Sequence, residues 1–522
     1  MESARDANGR APRREELRRA AVAYVVLVAA SVAFRLPSLV DAAATNSDAA
    51  VPALQAMHAL RGELSPFLWG SGYQTSADAI VAAAWFAVFG PTPLALMLST
   101  LAGHVALTLF AFATLRRHLG THAAALLVLL LVFTGGPVHT YVLYPPRQAS
   151  LTLAFAALYL LDRGARGARP AAWIAAGAAV AGLAVGADPY ALLFWPGLVA
   201  FALSLGHRRA AVAGAALGAL PYLVLRALPG ATHGQTSLSL AVVAHNAALL
   251  VDSCMPWALG TTPYVARHLS DYAPWHAGYP FHAVQLAGAA LFLAAIALGG
   301  ALALRPTTPR PLRRLGLFGA SMLPLNVAGF LMSPMVMDHF SSRYLVAFVL
   351  VSPFALAPVA HRLGAARAAA AIAPFVVSAA VSGWVSYAPF VHGLAIDASW
   401  GRAVEERRLA EALRARGVRY AEADYWASYR LTFLFREDPI VVPTNVAEDR
   451  YPPYRAAFEA APRVAYVFDA LRSREAPGSF EARVARGETP FAPRFDRLDL
   501  GEFTVLVLDR RLDAAPSAVS RP

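Results

Sequence analysis

Residues 93–115, PLALMLSTLAGHVALTLFAFATL, run for 23 positions without Asp, Glu or Arg. Coiled as a helix at 1.5 Å per residue, such a run is about 35 Å long, enough to cross the roughly 30 Å hydrocarbon layer of a bilayer. Similar runs recur at 20–39, 122–140, 149–161, 171–187, 189–206, 209–226, 284–304, 315–333, 344–362 and 367–390. The sequence therefore predicts a polytopic α-helical membrane protein with about 11 spans. Composition agrees: 15% of the 522 residues are charged and 57% hydrophobic, against roughly 25% charged in a soluble domain.

The net charge of +12 does not point to nucleic acid. Every basic residue is arginine, which with the alanine content reads as the bias of a GC-rich bacterial genome and points to a bacterial inner membrane. The arginines sit in short connections: 116–118, 162–169, 207–209, 305–314 and 361–367. Short-loop arginines stay on the cytoplasmic side. Threading the chain from a cytoplasmic N-terminus puts all five clusters inside, and the loops 40–92 and 227–283 and everything beyond about 391 outside. Residues 1–19 are then a basic cytoplasmic extension, and 20–39 is an uncleaved first span rather than a signal peptide, despite the cleavage-like SVA. Cys254 is the lone cysteine, so an intramolecular disulfide is excluded.

The segment DAIVAAAWFAVFG, 78–90, is too short to span and reads as a helix in the outer leaflet. Residues 20–390 form the membrane domain. From 391 to 511 charges return. Helical spacing at 403–417 and strand-like runs at 439–443, 463–468 and 502–509 predict a small extracytoplasmic α/β domain, followed by a flexible tail at 512–522.

Acids are sparse in the membrane part, with no glutamate between Glu63 and Glu405. Asp48 stands just past the first span, in NSDAAVPALQAMHALRG. Taken alone, Ser47 or Asp48 is a helix N-cap with Pro52 in the first turn, and Val51, Leu54 and Met57 form the apolar stripe of an interfacial helix. The longer context is an acid after the first span, an Ala-rich helix ending RGELSPF, the aromatic–Gly–Tyr turn WGSGY, then FAVFGPTPLALML. It resembles the first external loop of the GT-C superfamily: polyprenyl-phosphate-sugar-dependent glycosyltransferases of the protein O-mannosyltransferase and aminoarabinose-transferase type. The resemblance is best over the first 165 residues.

The resemblance implies a multi-pass enzyme that moves a sugar from a polyprenyl phosphate to an acceptor on the extracytoplasmic face. Asp48 would be the general base on the acceptor. Many members carry a second acid beside the first; here the next residue is Ala49. A phosphate leaving group calls for a cation near the outer surface. Arg147 in YPPRQAS and Arg343 in SSRYL defy the inside bias, and their planar forks suit phosphate oxygens, the alternative being that both snorkel to headgroups. Gln148 stands where the family often has an acid after its arginine. Asp338 and His339 are candidates for a polar cluster around a sugar or a divalent cation, or for a plain solvated loop. Asp188, in GADPY, reads as a break between spans or a substrate contact. Tyr73 belongs to a set of aromatics (Phe67, Trp69, Tyr141, Tyr144, Trp257, Trp275, Trp384 and Trp400) that form an interfacial belt or stack on sugars. ADYWASYRLTF and DRYPPY read as a binding surface or an aromatic core. His245 and Asn246, on an expected amphipathic helix of the second long loop, and His276 nearby lack metal-ligand spacing such as His-x-x-x-His, so no dedicated metal site or other cofactor is expected. Two further readings are a non-catalytic lipid- or glycan-binding relative and a transporter or flippase. Against the latter, the chain shows neither paired repeats nor a mid-span acid.

Overall fold

The computed structural model describes residues 4–228, 239–266, 272–387, 396–470, 473 and 475–511. The tail at 512–522 and the side chain of Trp400 lie outside the described residues. Among those described, nine helices are long and apolar enough to cross a membrane: Arg14–Val40, Pro93–Val132, Pro170–Ala187, Arg208–Arg226, Leu240–Ala258, Phe281–Leu304, Arg310–Leu331, His339–Leu363 and Ala365–Tyr387. The chain is a multi-pass membrane protein. The run at 93–115 and most of that at 122–140 join end to end over Pro93–Val132, broken at Gly120, whose φ of 79° a side-chain-bearing residue rarely adopts; the end of the second run lies in a separate helix, Gly136–Leu143. The run at 149–161 extends to Gln148–Gly164, while 189–206 contracts to a 3-10 turn, Pro189–Phe194, and a helix, Trp195–Leu203. Leu240–Ala258, expected to be a loop helix, is held against the bundle by Asn246, whose amide donates to the carbonyls of Phe330, Leu331 and Ser333 at 3.0, 3.1 and 2.8 Å.

Small residues set the tightest packing. Gly214 and Gly218, spaced four apart, lie against Ala175 and Ala179, and a methyl group on either would fall within 2.1 Å of a carbonyl oxygen of the facing helix. This is the close approach that small-xxx-small spacing provides in lipid, where hydrophobicity alone does not bring helices together.

After the first span the chain forms helix Ser47–Leu60, a two-stranded hairpin (Phe67–Leu68 with Ser71–Thr75) and helix Ala77–Phe89. Helix Ala77–Phe89 buries Ala79, Ala82 and Phe86 and exposes Ile80, Val81, Val88 and Phe89, as a helix lying in lipid would. Helix Ser47–Leu60 is covered well beyond the expected stripe: of residues 47–58 only Asp48 escapes full burial.

The C-terminal region is a five-stranded mixed sheet. Its strands are β1 (Tyr420–Ala423), β2 (Ile440–Pro443), β3 (Arg463–Asp469), β4 (Phe491–Leu500) and β5 (Phe503–Arg510), in spatial order β2-β1-β3-β5-β4. β1 runs parallel to both neighbours, and the β3–β5–β4 edge is antiparallel. Helices Ile396–Ala415 and Tyr425–Leu434 pack Leu409, Leu413, Ala427 and Leu431 on one face, against Ala421, Val441, Ala465 and Val505. Pro452–Ala460 and Pro477–Ala485 pack Phe458, Phe480 and Val484 on the other, against Val442, Val464 and Leu506. That second core is continuous with Ala49, Leu54, Trp69 and Phe86 of the first loop. Loop and C-terminal sheet therefore share one hydrophobic core.

Candidate active site

Helix Ser47–Leu60 begins at Asn46, whose side chain caps it by accepting from the Ala49 amide at 2.9 Å. With the cap supplied by Asn46, neither Ser47 nor Asp48 is needed for that job. Helix Tyr425–Leu434 takes hold of both. Ser47 Oγ donates to the Tyr425 carbonyl at 2.6 Å and accepts from the Arg430 amide at 3.2 Å. The Tyr425 hydroxyl donates to Asp48 Oδ1 at 2.5 Å, and Arg450 Nε donates to the same hydroxyl oxygen at 3.3 Å. Asp48 is half-buried.

Arg147 lies on the short connection into helix Gln148–Gly164, with φ at 105°. It is 9% exposed. Asp78, from the loop helix, caps Gln148–Gly164 from outside by accepting from the Arg147 and Ala149 amides at 2.8 and 3.0 Å. Burial pushes the Asp78 carboxyl above its ordinary range, against those two donors. Arg147 Nε donates to Asp188 Oδ2 at 2.8 Å and its Nη1 to the Tyr141 hydroxyl at 2.9 Å. Asp188 also accepts from Gln74 at 2.7 Å. The residue after Arg147 is no acid, and the carboxylate that pairs with Arg147 comes from Asp188, 41 residues beyond it.

Arg343 lies in the 3-10 turn His339–Leu345 and is half-buried. Among the described residues no carboxylate comes within ion-pair distance of it. Its guanidinium carbon is 5.4 Å from the Tyr344 ring centre, and that of Arg147 is 5.5 Å from the same ring. Both arginines act on Tyr141, and the charge of Asp48 is felt at Arg343. Tyr73 is within electrostatic reach of Arg147, Asp188 and Tyr344. Arg147 and Arg343 thus flank the Tyr344 ring, with Asp188 paired to Arg147, Tyr73 within electrostatic reach of Arg147, and Asp48 within electrostatic reach of Arg343.

Asp338 and His339 make local contacts. Asp338 caps the 3-10 turn, accepting from the Phe340 amide at 2.9 Å. His339 stacks on Tyr264 at 4.0 Å, and its Nε2 is buried without a hydrogen-bond partner. No group of three potential metal ligands occurs among the described residues.

Several belt candidates turn inward. Trp257 is 1% exposed, and Trp69, 8% exposed, stacks on Tyr451 at 4.0 Å. A lipid belt and a shared core draw on the same amphipathic rings, and here the C-terminal sheet covers the loop that carries Trp69. The two aromatic stretches form this junction: Tyr425 and Tyr429 from the first, Arg450, Tyr451 and Tyr454 from the second. Sequence reasoning passed over Tyr425, Arg450, Tyr344 and Asp78. The Tyr- and Arg-dense stretches were the signal available for the first two.

His58 closes the junction. Its Nδ1 meets Glu63 at 2.5 Å and its Nε2 meets Glu437 at 2.6 Å, while Arg61 and the Tyr454 hydroxyl also donate to Glu437. Burial would raise the Glu437 carboxyl, but the hydrogen bonds from His58, Arg61 and Tyr454 outweigh it and hold it at about 2.

No protein-family profile matches the chain, and no curated protein matches it. Solved structures do. ArnT from Cupriavidus metallidurans in the apo state superposes with a TM-score of 0.56 at 14% identity, covering 94% of this chain and 98% of that one. The same protein bound to undecaprenyl phosphate gives 0.51 at 14% identity, covering 92% and 97%. The resemblance read from the first external loop holds at the level of architecture: along nearly its whole length, this chain has the fold of ArnT.

Proposed function

We propose that this protein is an integral-membrane glycosyltransferase, transferring a pentose or hexose from a polyprenyl phosphate to an acceptor on the extracytoplasmic face. One observation carries the reading: Asp48, a half-buried carboxylate, lies within electrostatic reach of Arg343, which has no ion-pair partner among the described residues. Base and phosphate cation are the two charges an inverting transfer from a lipid phosphate needs. A structure of the same fold holds undecaprenyl phosphate.

In this reading an acceptor hydroxyl or amine attacks the anomeric carbon of the donor sugar. The bond from that carbon to the phosphate oxygen breaks, and its electron pair leaves on the lipid phosphate. Asp48 takes the acceptor's proton and later releases it to water. Arg343 binds the departing phosphate through its guanidinium fork. Arg147, held by Asp188, adds positive potential and fixes Tyr141. Tyr73 borders the sugar, while Asp338 and His339 shape the turn carrying Arg343.

The arginine-rich short loops place the N-terminus in the cytoplasm and the region 391–511 outside a bacterial inner membrane. Residues 20–390 are the membrane domain. The test is transfer of labelled sugar from polyprenyl phosphate in reconstituted membranes. Asp48→Asn should abolish it; transfer at the wild-type rate would overturn the assignment of the base. A reporter fused after residue 395 should read as extracytoplasmic.

A further inference from the structure

Two adjacent residues, Ser47 and Asp48, are held by a single helix, Tyr425–Leu434, of a domain that begins nearly 350 residues later in the chain. The grip on Ser47 is through backbone groups, whereas that on Asp48 is side chain to side chain and runs in one direction. Arg450 Nε donates to the Tyr425 oxygen, and Tyr425 O–H donates to Asp48 Oδ1. Arg450 is itself fixed. Its Nη1 donates to the Gly70 carbonyl at 3.3 Å, its amide donates to the Tyr429 hydroxyl at 2.5 Å, and its guanidinium carbon is 5.4 Å from the Tyr425 ring centre. Gly70, at φ 68°, lets the hairpin turn lie on Arg450, for a side chain there would fall 2.3 Å from Arg450 Cδ. Tyr425 is 7% exposed. Burial and the neighbouring Asp48 charge push its phenol above the ordinary range, so it stays protonated and meets the carboxylate as a donor. Asp48 Oδ2 has no hydrogen-bond donor among the described residues.

We infer that Tyr425, contributed by the C-terminal domain and oriented by Arg450, is a positioning residue for Asp48. It holds one carboxylate oxygen so that the other is presented to the acceptor. The inference rests on Asp48 being the base. It makes the C-terminal domain a part of the reaction centre rather than an appended module. A donor chain of this kind aims one oxygen and strengthens along its length, because a cation on the hydroxyl oxygen makes the O–H a better donor.

The test uses the full-length protein in reconstituted membranes, with wild type, Asp48→Asn, Tyr425→Phe, Arg450→Met, the Tyr425→Phe/Arg450→Met double variant and Glu437→Gln. Glu437→Gln loosens the same interface without touching Asp48. Tyr425→Phe is expected to lower kcat by about 10–100-fold with the donor KM unchanged, the signature of a misaimed reacting group. The double variant should be no slower than Tyr425→Phe alone, since Arg450 acts through the phenol. Glu437→Gln should lower thermal stability at least as much as Tyr425→Phe while keeping kcat within about twofold of wild type. If Tyr425→Phe keeps wild-type kcat while Asp48→Asn is inactive, the positioning role is wrong and the base assignment survives. Equal kcat losses in Tyr425→Phe and Glu437→Gln would reduce Tyr425 to an interface residue and overturn the inference as well. If Asp48→Asn transfers at the wild-type rate, the base assignment fails and takes the Tyr425 role with it.

Discussion

Arg147 and Arg343 stand beside the same tyrosine ring and carry the same charge, yet their surroundings differ. Arg147 is buried, salt-bridged to Asp188, hydrogen-bonded to Tyr141 and locked through its amide to Asp78. Arg343 is half-buried and has no ion-pair partner among the described residues; the carboxylate that acts on it is Asp48. A guanidinium already neutralised in low dielectric organises structure, since removing its partner leaves a stranded charge. One without an ion-pair partner is disposed toward an anion from outside. Under the proposed function, two arginines that look alike as exceptions to the inside bias thus divide into a scaffold and a ligand group.

The sharpest way to break this division is Asp188→Asn. It leaves Arg147 buried and unpaired and should cost about 3–5 kcal/mol of stability, read as a fall in thermal midpoint in detergent. Replacing both partners, Asp188→Asn with Arg147→Met, should recover much of that loss. Arg343→Met should do the reverse, lowering transfer by about 100-fold with little change in midpoint. Loss of stability in Arg343→Met, or of transfer alone in Asp188→Asn, would invert the two roles.

Acidification tests the junction between the first external loop and the C-terminal domain. The Glu437 carboxyl is held at about 2, below its ordinary 4.5, so its contribution is complete above 4.5 and is lost as pH falls from there toward 2. Limited proteolysis between the loop and the C-terminal domain should quicken over that interval in wild type and change less in Glu437→Gln. The smallest effect expected is that of Asn46→Ala, which removes the cap of helix Ser47–Leu60 at about 1 kcal/mol and leaves both arginines undisturbed.

Helices were legible wherever length and hydropathy decide them. The expected span at 171–187 and the helix Pro170–Ala187 differ by one residue, because a bilayer demands a long apolar run and Pro and Asp punctuate this one. β2, β3 and β5 were legible as apolar runs of strand length. β1, Tyr420–Ala423, was not: four residues reading YAEA carry no period, and it is a strand because β2 and β3 flank it. β4 was missed too, as an edge strand whose exposed residues lack an apolar face.

The candidate site divides along the same line. Sequence alone singled out Asp48, an acid just past a span in a chain that avoids acids, and Arg147 and Arg343, cations on the side where cations are scarce. Such features are local or compositional, and the cost of charge in lipid makes them stand out. Only the tertiary structure decided that Asp188 neutralises Arg147 but not Arg343, that Asn46 rather than Asp48 caps its helix, and that Tyr425, 377 residues away, donates to Asp48. Hydrogen bonds and ion pairs act over a few ångströms of space and are blind to separation along the chain, so no pattern in the sequence encodes them.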